Sequence, residues 1–201
     1  MTSRAVILHE SRSIWLFVPK AGSCSIRIVL CGALGIPLVK GRGNPAKMGL
    51  SSRTPLPWVT EAEMAKHPDY WRWAFVREPH ARLLSAYCSP TIRNRRQFAA
   101  AGIAAGCRWA EFVEAVCAWP ADAMDITVAP QTRIVKAADF VGQIERPEDW
   151  QAVADRLGFP ALPLPRANAN HHVPAREVYS PAQWAAVAEK YRDDIERFGY
   201  G

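Results

Sequence analysis

One local pattern, used twice, constrains this chain more than any other feature. A short apolar run is followed by a tight turn and then by a second, helix-like run. The first copy is Ile14-Trp-Leu-Phe-Val18, then Pro19-Lys20-Ala21-Gly22-Ser23-Cys24-Ser25, then Ile26-Arg-Ile-Val-Leu30. Branched and aromatic residues in a short apolar run predict a buried strand. The second copy is the aromatic run Tyr70 to Val76, the breaker Arg77-Glu78-Pro79, and a helix from His80 with Leu83, Leu84 and Tyr87 on one side. Strand, turn and helix in succession, twice over, predict an α/β fold with a largely parallel sheet.

The turns carry the chemistry. A strand that feeds a helix N-terminus through a tight turn makes an anion site. N–H groups converge there and the helix dipole favours negative charge. Gly22 lets the backbone come close, Lys20 adds a positive charge, and Ser23 and Ser25 add hydroxyl donors. A nucleotide-triphosphate loop places its glycine before its lysine. Here the lysine comes first, which disfavours an ATP or GTP hydrolase and an ATP-dependent kinase. In the second copy Arg77 ends the strand and Ser85 follows eight residues on. A guanidinium fork and a hydroxyl can hold one phosphate between them. The competing reading pairs Arg77 with a carboxylate such as Glu78. Two anion sites at the carboxyl ends of parallel strands match where open α/β sheets place ligands.

The chain has 201 residues, which predicts one domain over 1–201 with a real core. Its formal charge of +6 suits an anionic partner. A nucleic-acid module is disfavoured, because the basic residues are spread along the chain and form no binding motif. No apolar run approaches the roughly 20 residues that span a bilayer. Met1 to Glu10 lacks the pattern of a signal peptide, so the expectation is a soluble cytoplasmic protein. The five cysteines form no Cys-x-x-Cys pair, which disfavours a disulfide framework or zinc cluster and predicts mostly buried thiols.

Other elements follow from local signals. Ala5 to Leu8 predicts a strand, and Ile26 to Leu34 a buried helix. Thr60-Glu61-Ala62-Glu63 and Ser180-Pro181-Ala182-Gln183 both spell capping boxes. Trp109, Phe112, Val113 and Val116 recur at helical spacing. Phe140 to Ile144 predicts a third core strand. Pro147 opens a helix whose apolar face is Trp150, Val153, Ala154 and Leu157. A last helix is expected to bury Trp184, Val187, Ala188, Tyr191, Ile195 and Phe198. The Val39 to Pro57 loop and the Arg93 to Arg96 cluster read either as solvated surface or as substrate contacts.

These residues resemble the sulfotransferases of carbohydrate type. Phe17-Val-Pro-Lys20-Ala-Gly-Ser-Cys-Ser25 is similar to that family's 5′-phosphosulfate loop. Phe75-Val-Arg77-Glu-Pro-His-Ala-Arg82-Leu-Leu-Ser85-Ala-Tyr87 is similar to its 3′-phosphate motif. Weaker likeness runs through Pro130-Gln131, Phe140 to Glu145, and Tyr191 to Tyr200 with Asp194. The resemblance implies a P-loop-like three-layer fold with a central mostly parallel sheet. It implies the donor 3′-phosphoadenosine 5′-phosphosulfate, an acceptor hydroxyl or amine on a saccharide or other small molecule, and no metal. It also implies that Lys20, Ala21, Gly22, Ser23, Cys24 and Ser25 cradle the 5′-phosphosulfate. Lys20 would neutralise the leaving oxygen, and Arg77 and Ser85 would bind the 3′-phosphate.

The chain departs from the family pattern in places. Cys24 stands where threonine is usual, and Glu78 where aspartate is. Trp58 and Thr127 stand where many relatives carry histidines, and neither side chain takes up a proton at neutral pH. A general base needs a pKa near the working pH. The remaining candidates are His67, His80, His171, His172, Asp125 and Glu63. His67 is placed first, because it leads into the strand that ends at Arg77. Without a base, the alternative is a family member that binds the donor or its bisphosphate product and transfers poorly.

Overall fold

The apolar runs predicted as strands, Ala5 to Leu8, Ile14 to Val18, Tyr70 to Val76 and Phe140 to Ile144, each supply one. A computed structural model describes residues 4–37, 56–89, 96–159, 163–165 and 173–201. In chain order the elements begin β1 (Ala5–Leu8), β2 (Ser13–Leu16), α1 (Ser23–Ala33), β3 (Trp58–Val59), α2 (Glu61–Met64), β4 (Trp71–Val76) and α3 (Pro79–Tyr87). They continue α4 (Arg96–Ala100), α5 (Trp109–Ala118), α6 (Gln131–Ile134), β5 (Phe140–Gln143) and α7 (Pro147–Leu157). The chain closes with α8 (Ala175–Val178), α9 (Pro181–Lys190) and α10 (Arg192–Phe198). None of the described helices is long and apolar enough to cross a membrane.

The residues divide into two compact units. One comprises 2–76 and 137–171, the other 77–136 and 172–201. The first holds a five-stranded sheet in the order β3-β1-β2-β4-β5. Its β2–β4 and β4–β5 pairings are parallel, and β1 runs antiparallel to both β2 and β3. The expected parallel sheet is therefore present at the centre of this mixed α/β arrangement. Trp15 pairs with Trp73 in register, and Trp73 with Phe140. One face thus carries a row of aromatic rings. Trp15 and Trp73 lie 6.2 Å apart, as do Trp73 and Phe75, and Phe75 reaches Trp150 of α7 at 6.1 Å. Ile26 and Leu30 of α1 and Val153 and Leu157 of α7 complete this core. Burial of such side chains contributes about 1.5–3 kcal/mol each.

Gly142 shows how closely β5 packs. A Cβ built there would lie 2.7 Å from Phe75 Cε1 and 3.0 Å from Asp149 Cβ. Asp149 also accepts the Gln143 N–H at 2.7 Å, tying α7 to the strand.

The second unit is helical. Leu83 and Leu84 of α3, Phe112, Val113 and Val116 of α5, and Val187 of α9 form its core with Phe98, Tyr179 and Tyr191. The Ser180 capping box closes as expected: Ser180 Oγ accepts the Gln183 N–H at 3.2 Å, and Gln183 Oε1 accepts the Ser180 N–H at 2.9 Å.

Several expectations are corrected. The Thr60 capping box does not form: Thr60 makes no side-chain cap, and Glu63 accepts from Lys66 at 2.7 Å instead. Helix α1 starts at Ser23, three residues before the predicted Ile26. The last helix breaks at Tyr191, and the residue it buries beyond that point is Asp194, with Ile195 and Phe198 half-buried. None of the five cysteines forms a disulfide, and where mostly buried thiols were expected, Cys31 alone of the five is fully buried.

Gly142→Ala is expected to destabilise the protein by about 1–3 kcal/mol through overpacking against Phe75, measured as a lower midpoint in urea. An unchanged midpoint would show that β5 has room to spare.

Candidate functional site

The β2–α1 connection is built by two left-handed residues. Lys20 has φ 69° and Gly22 has φ 68°. A lysine in that region costs roughly 1–2 kcal/mol, and strain of this kind gathers at functional turns. Glycine is needed at 22 for a second reason. A Cβ there would meet Ile144 Cδ1 at 2.4 Å and Cγ1 at 2.5 Å. The turn is therefore pressed against the residue that follows β5, and Ile144 in turn donates its N–H to Val76 O at 2.9 Å. Gly22 is the N-cap of α1, whose first turn holds no acidic residue. Ala21, Ser23 and Ser25 are buried, and Lys20 and Cys24 half-buried. A lysine beside a helix N-terminus without a competing carboxylate in its first turn is suited to a multiply charged anion.

Arg77 and Ser85 belong to the helical unit. Arg77 follows the end of β4 and is half-buried. Ser85 lies on α3 in line with Ala81 and Cys88, all three half-buried, so the hydroxyl sits on the accessible stripe of that helix. Glu78, the carboxylate of the competing reading, is engaged by the helix it precedes. Its Oε1 accepts from the His80 N–H at 3.0 Å and faces His80 Nδ1 at 2.6 Å, and its Oε2 accepts the Ala81 N–H at 2.7 Å. Glu78 therefore caps α3 and grips His80. Burial pushes the Glu78 carboxyl up, but the His80 ring and the two N–H donors outweigh it and hold it below its ordinary 4.5. Arg82, within the same motif, is structural. The residue is 2% exposed, and its guanidinium donates to Ala129 O at 2.8 Å and Ile126 O at 3.1 Å.

The base candidates scatter. His67 lies in the turn before β4, packed 5.3 Å from the His9 ring and 4.6 Å from Tyr70. The Trp71 N–H, just beyond, donates to Arg12 O in the β1–β2 turn at 3.0 Å. These groups stand at the amino ends of β2 and β4, whereas Lys20 follows the carboxyl end of β2. A strand's length, on the order of 15 Å, separates them. His67 leads into the strand that ends before Arg77, as the sequence suggests, but it stands at the amino end of that strand, away from the Lys20 turn. His80 is buried, stacked on Trp184 at 3.6 Å, with Nε2 at 3.0 Å from Trp184 O. Asp125 is buried and accepts the Thr127 N–H at 2.9 Å. Glu63 is paired with Lys66. His171 and His172 lie outside the described residues, as do 38–55 of the basic loop and Arg93 to Arg95.

Trp58 and Thr127 both serve packing. Trp58 lies 5.2 Å from Phe17 and 5.9 Å from Trp15, and Thr127 is buried. No group of three or more His, Cys, Asp or Glu among the described residues could hold a metal ion.

A parallel-centred α/β sheet thus carries a strained lysine turn into the N-terminus of α1. The chain belongs to the sulfotransferase family, whose model matches residues 3–201. No curated protein matches the chain, and no solved structure matches it. Family membership makes sulfuryl transfer its general chemistry.

Two predictions follow from these turns. Lys20→Gly should be more stable than Lys20→Ala by about 1 kcal/mol, because only glycine relieves the left-handed strain; equal denaturation midpoints would contradict this. Glu78 has a lowered folded-state pKa, so its contribution is full above about 4.5 and is lost as pH falls through the folded value. The stability gap between wild type and Glu78→Gln, followed by urea unfolding, should be full at neutral pH and narrow below about 4.5. A constant gap would mean that the carboxylate charge contributes nothing.

Proposed function

We propose that this chain uses 3′-phosphoadenosine 5′-phosphosulfate as donor and passes its sulfuryl group to a hydroxyl or amine of a saccharide or other small acceptor. The observation that carries this reading is the β2–α1 turn, where strain is spent to hold Lys20 beside a helix N-terminus. In this reading the turn acts as a phosphate loop, and residues 20–25 receive the 5′-phosphosulfate. Arg77 and Ser85 receive the 3′-phosphate. The family match over residues 3–201 supports reading the whole chain as one sulfotransferase domain.

When bound, the donor supplies an activated sulfur. The acceptor oxygen or nitrogen bonds to it as the bond from sulfur to the bridging oxygen breaks. The electron pair stays on that oxygen, and the acceptor proton leaves to a base or to water. Lys20 offsets the charge growing on the leaving oxygen. N–H and hydroxyl groups of the turn hold the transferring group in line, so positioning carries much of the rate.

A second reading, binding without efficient transfer, is favoured by one observation. Trp58 and Thr127 pack where histidines are usual, and His67 is at the far end of its strands. A transfer assay with excess donor separates the two. Turnover supports the first reading, and saturable binding without turnover the second.

Calorimetric titration of 3′,5′-adenosine bisphosphate tests the donor site. Wild type should bind in the micromolar range. Arg77→Ala should lose about 1.5–3 kcal/mol as a charge-assisted contact disappears, and Lys20→Ala less. Absence of binding by wild type would overturn the reading.

A further inference from the structure

Two further residues of the helical unit bear on Arg77. Gln131 and Asp194 are both 0% exposed. The Gln131 carboxamide meets the Arg77 backbone twice. Oε1 accepts the Arg77 N–H at 2.9 Å, and Nε2 donates to Arg77 O at 2.8 Å. This is what a neighbouring strand offers a residue, supplied by one side chain. Gln131 is fixed in turn by Asp194. Asp194 Oδ2 accepts the Gln131 N–H at 2.7 Å and lies 3.4 Å from Gln131 Nε2. Asp194 Oδ1 accepts the Thr132 N–H at 2.8 Å. The carboxylate thus caps α6 with both oxygens, where N–H groups lack helical acceptors.

Burying a carboxylate and an amide is a poor way to gain stability. A well-packed apolar pair is often as stable or more so. What an apolar pair cannot do is hold both backbone groups of one chosen residue. That residue is the arginine assigned to the 3′-phosphate.

We infer that Gln131 and Asp194 are positioning residues that fix the Arg77 backbone and so set the preference for nucleotides carrying a 3′-phosphate. The inference rests on the donor site proposed above. It predicts a specific pattern of selectivity. Affinities for 3′,5′-adenosine bisphosphate and adenosine 5′-monophosphate are measured by calorimetry for wild type, Gln131→Met and Asp194→Asn. Both variants should bind the bisphosphate about 10-fold more weakly, the scale of one charge-assisted hydrogen bond. Their affinity for the monophosphate should stay near the wild-type value. Adding Gln131→Met to Arg77→Ala should then change the ratio no further.

A merely structural role would weaken both nucleotides alike, leave the ratio intact and overturn the inference. A wild type with no preference for the bisphosphate would instead overturn the donor site. Should the variants fail to fold, amide exchange on wild type decides the clamp. A protected Arg77 N–H supports it, and rapid exchange at that position overturns it.

Discussion

Backbone groups at the ends of strands and helices must find partners when they are buried. In this protein, acidic and amide side chains supply many of them. Asp139 accepts the N–H of Arg72 at the start of β4 at 2.7 Å, and Asp149 that of Gln143 in β5 at the same distance. Glu78 takes two N–H groups at the start of α3, and Asp194 takes two at the start of α6. Arg82 does the converse, giving its guanidinium to the carbonyls of Ile126 and Ala129. Those of Asp139, Asp194 and Arg82 link segments distant in sequence, and those of Glu78 and Asp194 fix where α3 and α6 begin. The backbone of Arg77, held by Gln131, inherits its geometry from this framework.

Aromatic packing supplies the complementary restraint. The rings of Trp15, Trp73, Phe75 and Trp150 line one face of the sheet, and Phe75, Phe140 and Asp149 leave no room for a side chain at β5 Gly142. The same crowding appears where Gly22 meets Ile144. Rigid surroundings on this scale are what allow Lys20 to persist in a backbone conformation that lysine disfavours. Strain in a turn is sustained only when its flanks leave no alternative.

Much of this was legible in the sequence, because its causes are local. Apolar runs marked β1, β2, β4 and β5, and Pro147 and Ser180 marked the starts of α7 and α9. Legibility ended where partners are distant. Thr60 and Ser180 head similar capping patterns, yet Glu63 has Lys66 within reach while Gln183 turns back to Ser180. Helical spacing continues through Tyr191, but the chain breaks there. Asp194 is buried because its partner Gln131 lies 63 residues earlier, which no local pattern records. His67 is near Arg77 in sequence, but β4 intervenes between them. The two turn motifs were visible as motifs; the left-handed Lys20 and the double role of Glu78 were not.

The interleaving of the two units has a consequence for how the chain is made. β4 ends at Val76, but its partner β5 begins only at Phe140, and the residues between them belong largely to the other unit. A ribosome adding about 5–20 residues per second needs several seconds to bridge that gap. Throughout that interval β4 presents an unpaired edge rich in tryptophan and phenylalanine, the kind of surface on which nascent chains aggregate. Folding yield in the cell should therefore depend on how quickly translation passes from Val76 to Gln143, and on whether a chaperone covers that edge in the meantime.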